Sequence, residues 1–230
     1  MGCAVVSGAA SGIGRACAVA LRDHGRAVAS LDLDEAEGVD LSVRTDVADA
    51  GAVEAAVARA ESELGPVEVV VTAAGYYERA AVGAIGVAAW RRMLAVQLYG
   101  TVNLARSTYA RMLERGAASR AAICTIGSEL ALCGDADAAH YAAAKGAIHA
   151  FTKSLAVEAA PHGIRVNCVA PGPTDTPLMT PDLRDPEYID SLVLRRLVAP
   201  EEIAATVLFV TLGAHNLVGQ VVSPNAGAVM

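Results

Sequence analysis

The chain has 230 residues, of which 54% are hydrophobic and 19% charged, with a formal net charge of −7 and a pI near 5.2. This size suits one domain around one sizeable core, and the composition is that of a compact chain rather than a disordered one. The acidic balance argues against a nucleic-acid surface and against an anionic-membrane partner, and no uninterrupted apolar run approaches the roughly 20 residues of a membrane span.

The first residues, MGCAVVSG, lack the basic segment, apolar stretch and cleavage site of a secretory signal. Val6 stands where a myristoylation signal wants Ser or Thr, so a cytoplasmic location is expected. Seven short apolar runs then read as strands: Cys3–Ser7, Ala27–Leu31, Leu41–Thr45, Val67–Thr72, Ala121–Ile126, Ile164–Val169 and Gln220–Ser223. Between them, 13–24, 50–64, 88–115, 141–160 and 200–213 read as helices. Strands alternating with helices imply βαβ units, and strands apolar on both faces imply a parallel sheet covered on both sides. Only 14 residues separate Asp32 from Asp46, so the helix between the second and third strands is expected to be shortened or absent. There is no internal repeat, low-complexity tract or linker, so one domain spanning 1–230 is expected. Cysteines 3, 17, 124, 133 and 168 lack metal-ligand or C-x-x-C spacing, and Cys3, Cys124 and Cys168 lie in strand-like runs as buried thiols. The five histidines show no metal-ligand spacing either, and no metal site is expected.

Gly8, Gly12 and Gly14 fall between the first strand and the first helix. Glycine lets a backbone turn tightly against a pyrophosphate, and the helix N-terminus offers free N–H groups to it. Asp32, 18 residues after Gly14, is placed to accept hydrogen bonds from adenosine-ribose hydroxyls and to repel a 2′-phosphate. With no Arg or Lys in Leu33-Asp34-Glu35, NAD(H) is expected over NADP(H), Arg15 being the one alternative receiver of that phosphate. Asp46 and Val47 follow the third strand and could hold the adenine edge, although Asp46 could equally cap the helix starting near Asp49.

Of 18 Lys and Arg residues only Lys145 and Lys153 are lysines, and Lys145 follows Tyr141 by four. That spacing puts both on one helix face. It describes an ordinary surface pair as well as a proton-transfer device, in which a nearby ammonium lowers the phenol pKa from about 10. Ser128 follows the fifth strand at the carboxyl end of the sheet, where ligands bind in such folds. Its hydroxyl could hold a substrate oxygen against the tyrosine.

Taken together, SGAASGIG (7–14), Asp32, Asp46-Val47, TAAG (72–75), Ser128, YAAAK (141–145) and PGPTDT (171–176) resemble the short-chain dehydrogenase/reductase family along the whole chain. The resemblance implies a single-domain α/β Rossmann fold with a doubly wound seven-stranded parallel sheet in the order 3-2-1-4-5-6-7. It also implies catalysis by Ser128, Tyr141 and Lys145. Gly8, Ser11, Gly12, Ile13, Asp32, Asp46, Val47, Ala74 and Gly75, with Tyr141, Lys145, Pro171, Gly172 and Thr174, would hold the cofactor. Residues 175–196 would form a substrate lid. Three positions depart from the family: Ser7 replaces a threonine, Thr72 a strand-bracing asparagine, and Gln97 the asparagine of a proton relay that includes Lys145 and a water.

The substrate-facing candidates are Tyr76, Tyr77, Glu129, Leu130, His140, Pro173, Leu178, Met179 and Tyr188, an apolar and aromatic set suited to a hydrophobic secondary alcohol or its ketone. The expected activity is NAD(H)-dependent interconversion of that pair, and the alternative is a catalytically weak NAD sensor. The short second connection also resembles compact bacterial 3α-hydroxysteroid dehydrogenase/carbonyl reductases, without the insertion those carry between serine and tyrosine. The enoyl reductases of the family space tyrosine and lysine more widely. Small residues along the helix after Tyr141 allow close helix–helix approach, and the family resemblance implies pairing of this helix and residues 88–115 into a homodimer or homotetramer.

Overall fold

A computed structural model of the chain describes residues 2–116 and 121–230. The expected span of 1–230 is covered apart from Met1 and 117–120, which lie outside the described residues. Seven strands form one parallel sheet: β1 Cys3–Ser7, β2 Val28–Asp32, β3 Leu41–Arg44, β4 Val67–Thr72, β5 Ala122–Ile126, β6 Arg165–Val169 and β7 Val221–Val222. Their order is β3-β2-β1-β4-β5-β6-β7, with every pairing parallel. The order reverses direction beside β1, so β1 and β4 flank the crevice where such sheets bind ligands.

The helices are α1 Gly12–Asp23, α2 Ala50–Leu64, α3 Val87–Met93, α4 Gly100–Arg115, α5 Leu130–Cys133, α6 Ala139–Ala159, α7 Pro186–Ser191 and α8 Pro200–Leu208. Successive strand residues point to opposite faces, and this sorts the apolar side chains into two cores. On one face Ala4, Val6, Val69 and Val71 pack with Leu21 of α1 and with Ile203 and Val207 of α8. On the other, Cys3, Val5, Val67 and Val70 pack with Val53 and Val57 of α2, Leu104 and Met112 of α4, and Leu155 of α6. Because both faces are buried, the strands show no alternation of apolar and polar residues.

Between β2 and β3 the chain makes turns and bends with no helix. Arg22 donates to the Gly38 carbonyl at 2.6 Å, and the Ala36 N–H to Ser42 Oγ at 3.1 Å, tying this short crossover down.

The expected helix over 88–115 is interrupted. α3 and α4 are separated by one π-helical turn, Leu94–Tyr99. Periodicity alone does not reveal such a turn, because one wider turn rotates the following face without breaking the apolar pattern. Here it buries Gln97 and brings Gly100 against Val47, where a Cβ would lie 2.6 Å from the valine methyl. The expected helix over 200–213 likewise ends in a π turn at Phe209–Gly213. β2 extends one residue further than the sequence pattern suggests, so Asp32 is its last residue rather than the first beyond it. β7 is only two residues long, and α6 starts two residues earlier than expected, at Ala139.

Candidate active site

The glycine loop is built around close backbone approaches. Gly8 has φ +73°, and a Cβ there would lie 2.7 Å from the Ala74 backbone. A Cβ on Gly14 would collide with the Gly8 carbonyl. Gly12 has φ +51°, in the left-handed region that favours glycine. Ser7 keeps a structural use for its hydroxyl, which accepts the Ala74 N–H at 3.2 Å and joins the end of β1 to the segment after β4. Thr72 does not take over a bracing role: its hydroxyl is buried without a partner.

A cavity of about 450 Å³ opens over this loop, lined by Gly8, Ser11, Gly12, Ile13, Asp32, Asp46, Val47, Ala74 and Gly75. Asp32 is oriented by two backbone groups, Oδ2 accepting the Ala10 N–H at 3.0 Å and Oδ1 the Asp34 N–H at 3.2 Å. Asp34 and Asp46 line the same cavity, whereas Arg15 does not. Arg44 stands beside Asp32 in the β2–β3 register but is exposed and also lies outside the lining. The helix-cap reading of Asp46 is overturned. The side chain that caps α2 is Asp49, which accepts the N–H groups of Gly51 and Ala52, while Asp46 accepts only the nearby Ala48 N–H at 2.9 Å. A tightly packed glycine loop on the wall of this cavity and a carboxylate set at the end of β2 fit a dinucleotide.

A second cavity of about 170 Å³ adjoins the first, with Ile13, Ala73, Gly75, Thr176 and Leu178 common to both. Ser128, Tyr141, Lys145 and Gln97 line it, as do Pro171, Gly172 and Thr174. Ser128 lies two residues past β5, and its Oγ accepts the Leu130 N–H at 3.2 Å. Tyr141 packs edge-on against Tyr77, with ring centroids 4.9 Å apart. Lys145 is buried, and its Nζ donates to the Ile126 carbonyl at 2.9 Å while standing 5.6 Å from the Tyr141 ring centre.

The electrostatics reverse one expectation. Burial pushes the Tyr141 phenol up to about 12, only partly offset by the facing Ser128 hydroxyl, so without cofactor the ring is firmly protonated. The phenol is raised even with Lys145 Nζ only 5.6 Å from the ring centre. Burial brings Lys145 itself down to about 8, poised to release a proton near neutral pH.

Gln97, expected in a proton relay, has its side chain held against the backbone. Its amide Nε2 donates to the Tyr76 carbonyl at 2.5 Å, and its Oε1 is buried without a partner. Its main-chain oxygen accepts the Thr101 hydroxyl at 2.9 Å. The amide therefore faces the backbone after β4, and Gly75 has no Cβ because the amide occupies that space.

Tyr77, Glu129, Leu130, Pro173, Leu178, Met179 and Tyr188 line the second cavity, as expected of substrate-facing groups. Two candidates do not. Tyr76 lines the first cavity and lies 4.9 Å beneath the Arg92 guanidinium. His140 is buried on the far side of α6, its ring 5.8 Å from that of Trp90. Asp135 and Leu183, given no role from the sequence, do line the cavity.

His149 is the group that the sequence reading missed. It lies one turn beyond Lys145 on the same face of α6, and its Nε2 accepts the Ser128 N–H at 3.5 Å. Burial, then the positive charges of Lys145 and Lys153, bring it down to about 4, so it stays neutral and free to accept. The i, i+4 spacing from Lys145 was the available signal. Among the described residues no cluster of His, Cys, Asp and Glu could hold a metal ion, and no helix is long and apolar enough to cross a membrane.

Comparison with known proteins agrees with this geometry. A family model described as enoyl-(acyl carrier protein) reductase matches residues 8–228. A cis-4-hydroxycyclohexanecarboxylate dehydrogenase of Sinomonas cyclohexanicum is 38% identical, over 97% of this chain and 95% of its own. A galactitol 2-dehydrogenase of Rhizobium johnstonii is 33% identical, over 97% and 93%. The crystal structure of a 3-ketoacyl-(acyl-carrier-protein) reductase from Brucella melitensis complexed with NADH superposes with a TM-score of 0.91 at 26% identity, covering 100% of this chain and 98% of that one. The chain is thus an oxidoreductase that acts on CH–OH groups with a nicotinamide cofactor, and it belongs to the short-chain dehydrogenase/reductase family.

Proposed function

We propose that this protein interconverts a secondary alcohol on a largely apolar frame and its ketone, using NAD(H), with Tyr141 exchanging the proton. The observation that carries this reading is the meeting of the two cavities at Ile13 and Gly75, with Ser128, Tyr141 and Lys145 on the wall of the second. The nicotinamide, when bound, supplies the hydride acceptor for oxidation and the hydride donor for reduction. Ser128 orients the reacting oxygen by hydrogen bonding. Tyr141 gives its phenolic proton to that oxygen in reduction and takes it back in oxidation, so the alcohol loses one hydride and one proton overall. Lys145 would hold the ribose of a bound cofactor with its remaining N–H groups, and its charge opposes the burial that holds the phenol protonated.

The preference for NAD rests on three carboxylates, Asp32, Asp34 and Asp46, lining the first cavity, whose lining includes no arginine or lysine among the described residues. A 2′-phosphate would meet repulsion there. Residues 175–196 are read as a substrate lid on a single domain spanning 1–230, because Leu178, Met179, Leu183 and Tyr188 line the cavity. The names of the relatives, dehydrogenases of a hydroxycyclohexanecarboxylate and of galactitol, support the alcohol/ketone class. Exposed Val87, Tyr99 and Val157 on the α3–α4 and α6 surfaces favour a homodimer or homotetramer.

The test is a panel of secondary alcohols and ketones followed by NADH absorbance, with Tyr141→Phe alongside. Turnover that falls at least about 10²-fold in the variant is the expected result. Tight NAD binding without turnover of any alcohol or ketone would instead favour an NAD-sensing protein.

A further inference from the structure

Glu129 follows Ser128 directly, so its Cα lies about 3.8 Å from that of the serine. It is 6% exposed and lines the second cavity. Its backbone is fixed on both sides: the Glu129 N–H donates to the Pro171 carbonyl at 3.0 Å, and its own carbonyl accepts the Leu132 N–H at 2.7 Å. The carboxyl is left unused. Oε2 is buried with no hydrogen-bond partner, and it packs close over Gly172, where a Cβ would lie 2.7 Å from that oxygen as well as 2.6 Å from Asn225. A buried polar atom without a partner is costly to the fold. A ligand that supplies the missing hydrogen bond therefore gains more than one that does not.

We propose that Glu129 is a specificity-determining residue whose carboxyl receives a second hydroxyl of the substrate, carried within two carbons of the reacting one, so that the preferred substrate is an uncharged diol or polyol on a compact frame. This rests on the alcohol/ketone reading of the same site. The charge around the carboxyl selects among possible partners. Asp135 also lines the cavity, and among the described residues the one cationic side chain in the lining is Lys145, already bonded to the Ile126 carbonyl. A substrate carboxylate near Glu129 would meet two acids and no free cation. Burial, reinforced by Asp135, pushes Glu129 up to about 7, so its acid and carboxylate forms coexist at neutral pH. A hydroxyl serves both forms, donating to the carboxylate and accepting from the acid, whereas an ammonium suits only the first. The remaining walls, Leu130, Leu178, Met179, Leu183 and Tyr188, cover the carbon frame.

The experiment compares kcat/KM with NAD⁺ for cis-cyclohexane-1,2-diol and cyclohexane-1,3-diol against cyclohexanol, in the wild type, Glu129→Gln and Glu129→Leu. 2-Aminocyclohexanol and 2-hydroxycyclohexanecarboxylate serve as charged comparators. The wild type is expected to favour the better diol over cyclohexanol by about tenfold or more, the scale of one hydrogen bond to a charged group. Glu129→Gln, of the same shape and still an acceptor, keeps part of that ratio, and Glu129→Leu brings it to within about twofold of unity. An unchanged ratio in Glu129→Leu overturns the proposal, as does a wild-type preference for cyclohexanol or for either charged comparator. Calorimetric binding of the same diols to the NADH-loaded protein separates this from failure of the reaction reading. Diol binding that weakens in Glu129→Leu supports the Glu129 contact even where no alcohol is turned over, and diol binding indifferent to the substitution rejects it.

Discussion

Lys145 Nζ donates to the Ile126 carbonyl at 2.9 Å, tying the middle of α6 to the carboxyl end of β5 beneath the phenol of Tyr141. One hydrogen of a buried ammonium is thereby committed to the scaffold, leaving two for the crevice. The bond fixes the lysine where its charge acts on Tyr141 and where its own proton is loosely held.

Replacing Lys145 with Met tests both properties. Turnover is expected to fall by about 10²-fold or more, with the basic limb of any remaining pH–rate profile moved upward because the phenol loses its cation. Stability responds with a definite sign. The folded pKa of about 8 lies below the unfolded 10.5, so between these values the unfolded chain holds the extra proton and stability rises with pH. That contribution is complete above about pH 10.5 and is lost as pH falls through 8. Lys145→Met removes this dependence, which denaturant melts of the two proteins at pH 7 and pH 10 would read out.

Asp32→Asn keeps the side chain's shape and an acceptor for the Ala10 N–H, but removes the charge. The ratio of kcat/KM for NAD to that for NADP is expected to fall by about tenfold, from the loss of repulsion at a 2′-phosphate. Steady-state kinetics with both cofactors check it, and an unmoved ratio would shift the origin of the preference to Asp34 and Asp46.

Gln97→Ala removes the bond to the Tyr76 carbonyl and leaves a gap beside Gly75. Slower turnover with NAD affinity within about threefold of wild type is the expected result, since Gln97 lines the reaction cavity and not the adenosine end. Single-turnover rates beside NADH fluorescence titrations make the comparison, and unchanged turnover removes Gln97 from the mechanism.

Thr72→Val replaces a buried hydroxyl that has no partner with a methyl group of the same shape. The variant is expected to be at least as stable as the wild type, by about 0–1 kcal/mol, because a desolvated hydroxyl is removed and β-branching is kept. A loss of more than about 1 kcal/mol in urea melts would mean that Thr72 braces the end of β4 after all.

The sequence by itself determined the sheet, a helix between β2 and β3 reduced or lost, and the gathering of the glycine loop, Asp32, Ser128, Tyr141 and Lys145 at one edge. Short apolar runs and an i, i+4 pair are local signals, and a 14-residue interval limits what can fit inside it. Only the tertiary structure decided what each polar atom touches. The π turn at Leu94–Tyr99 turned Gln97 toward Tyr76, and Asp49 took the cap that Asp46 could have supplied. Burial raised Tyr141, lowered Lys145 and left one oxygen of Glu129 without a partner. Desolvation and hydrogen-bond satisfaction depend on neighbours brought in from distant parts of the chain, and no spacing along a sequence records them.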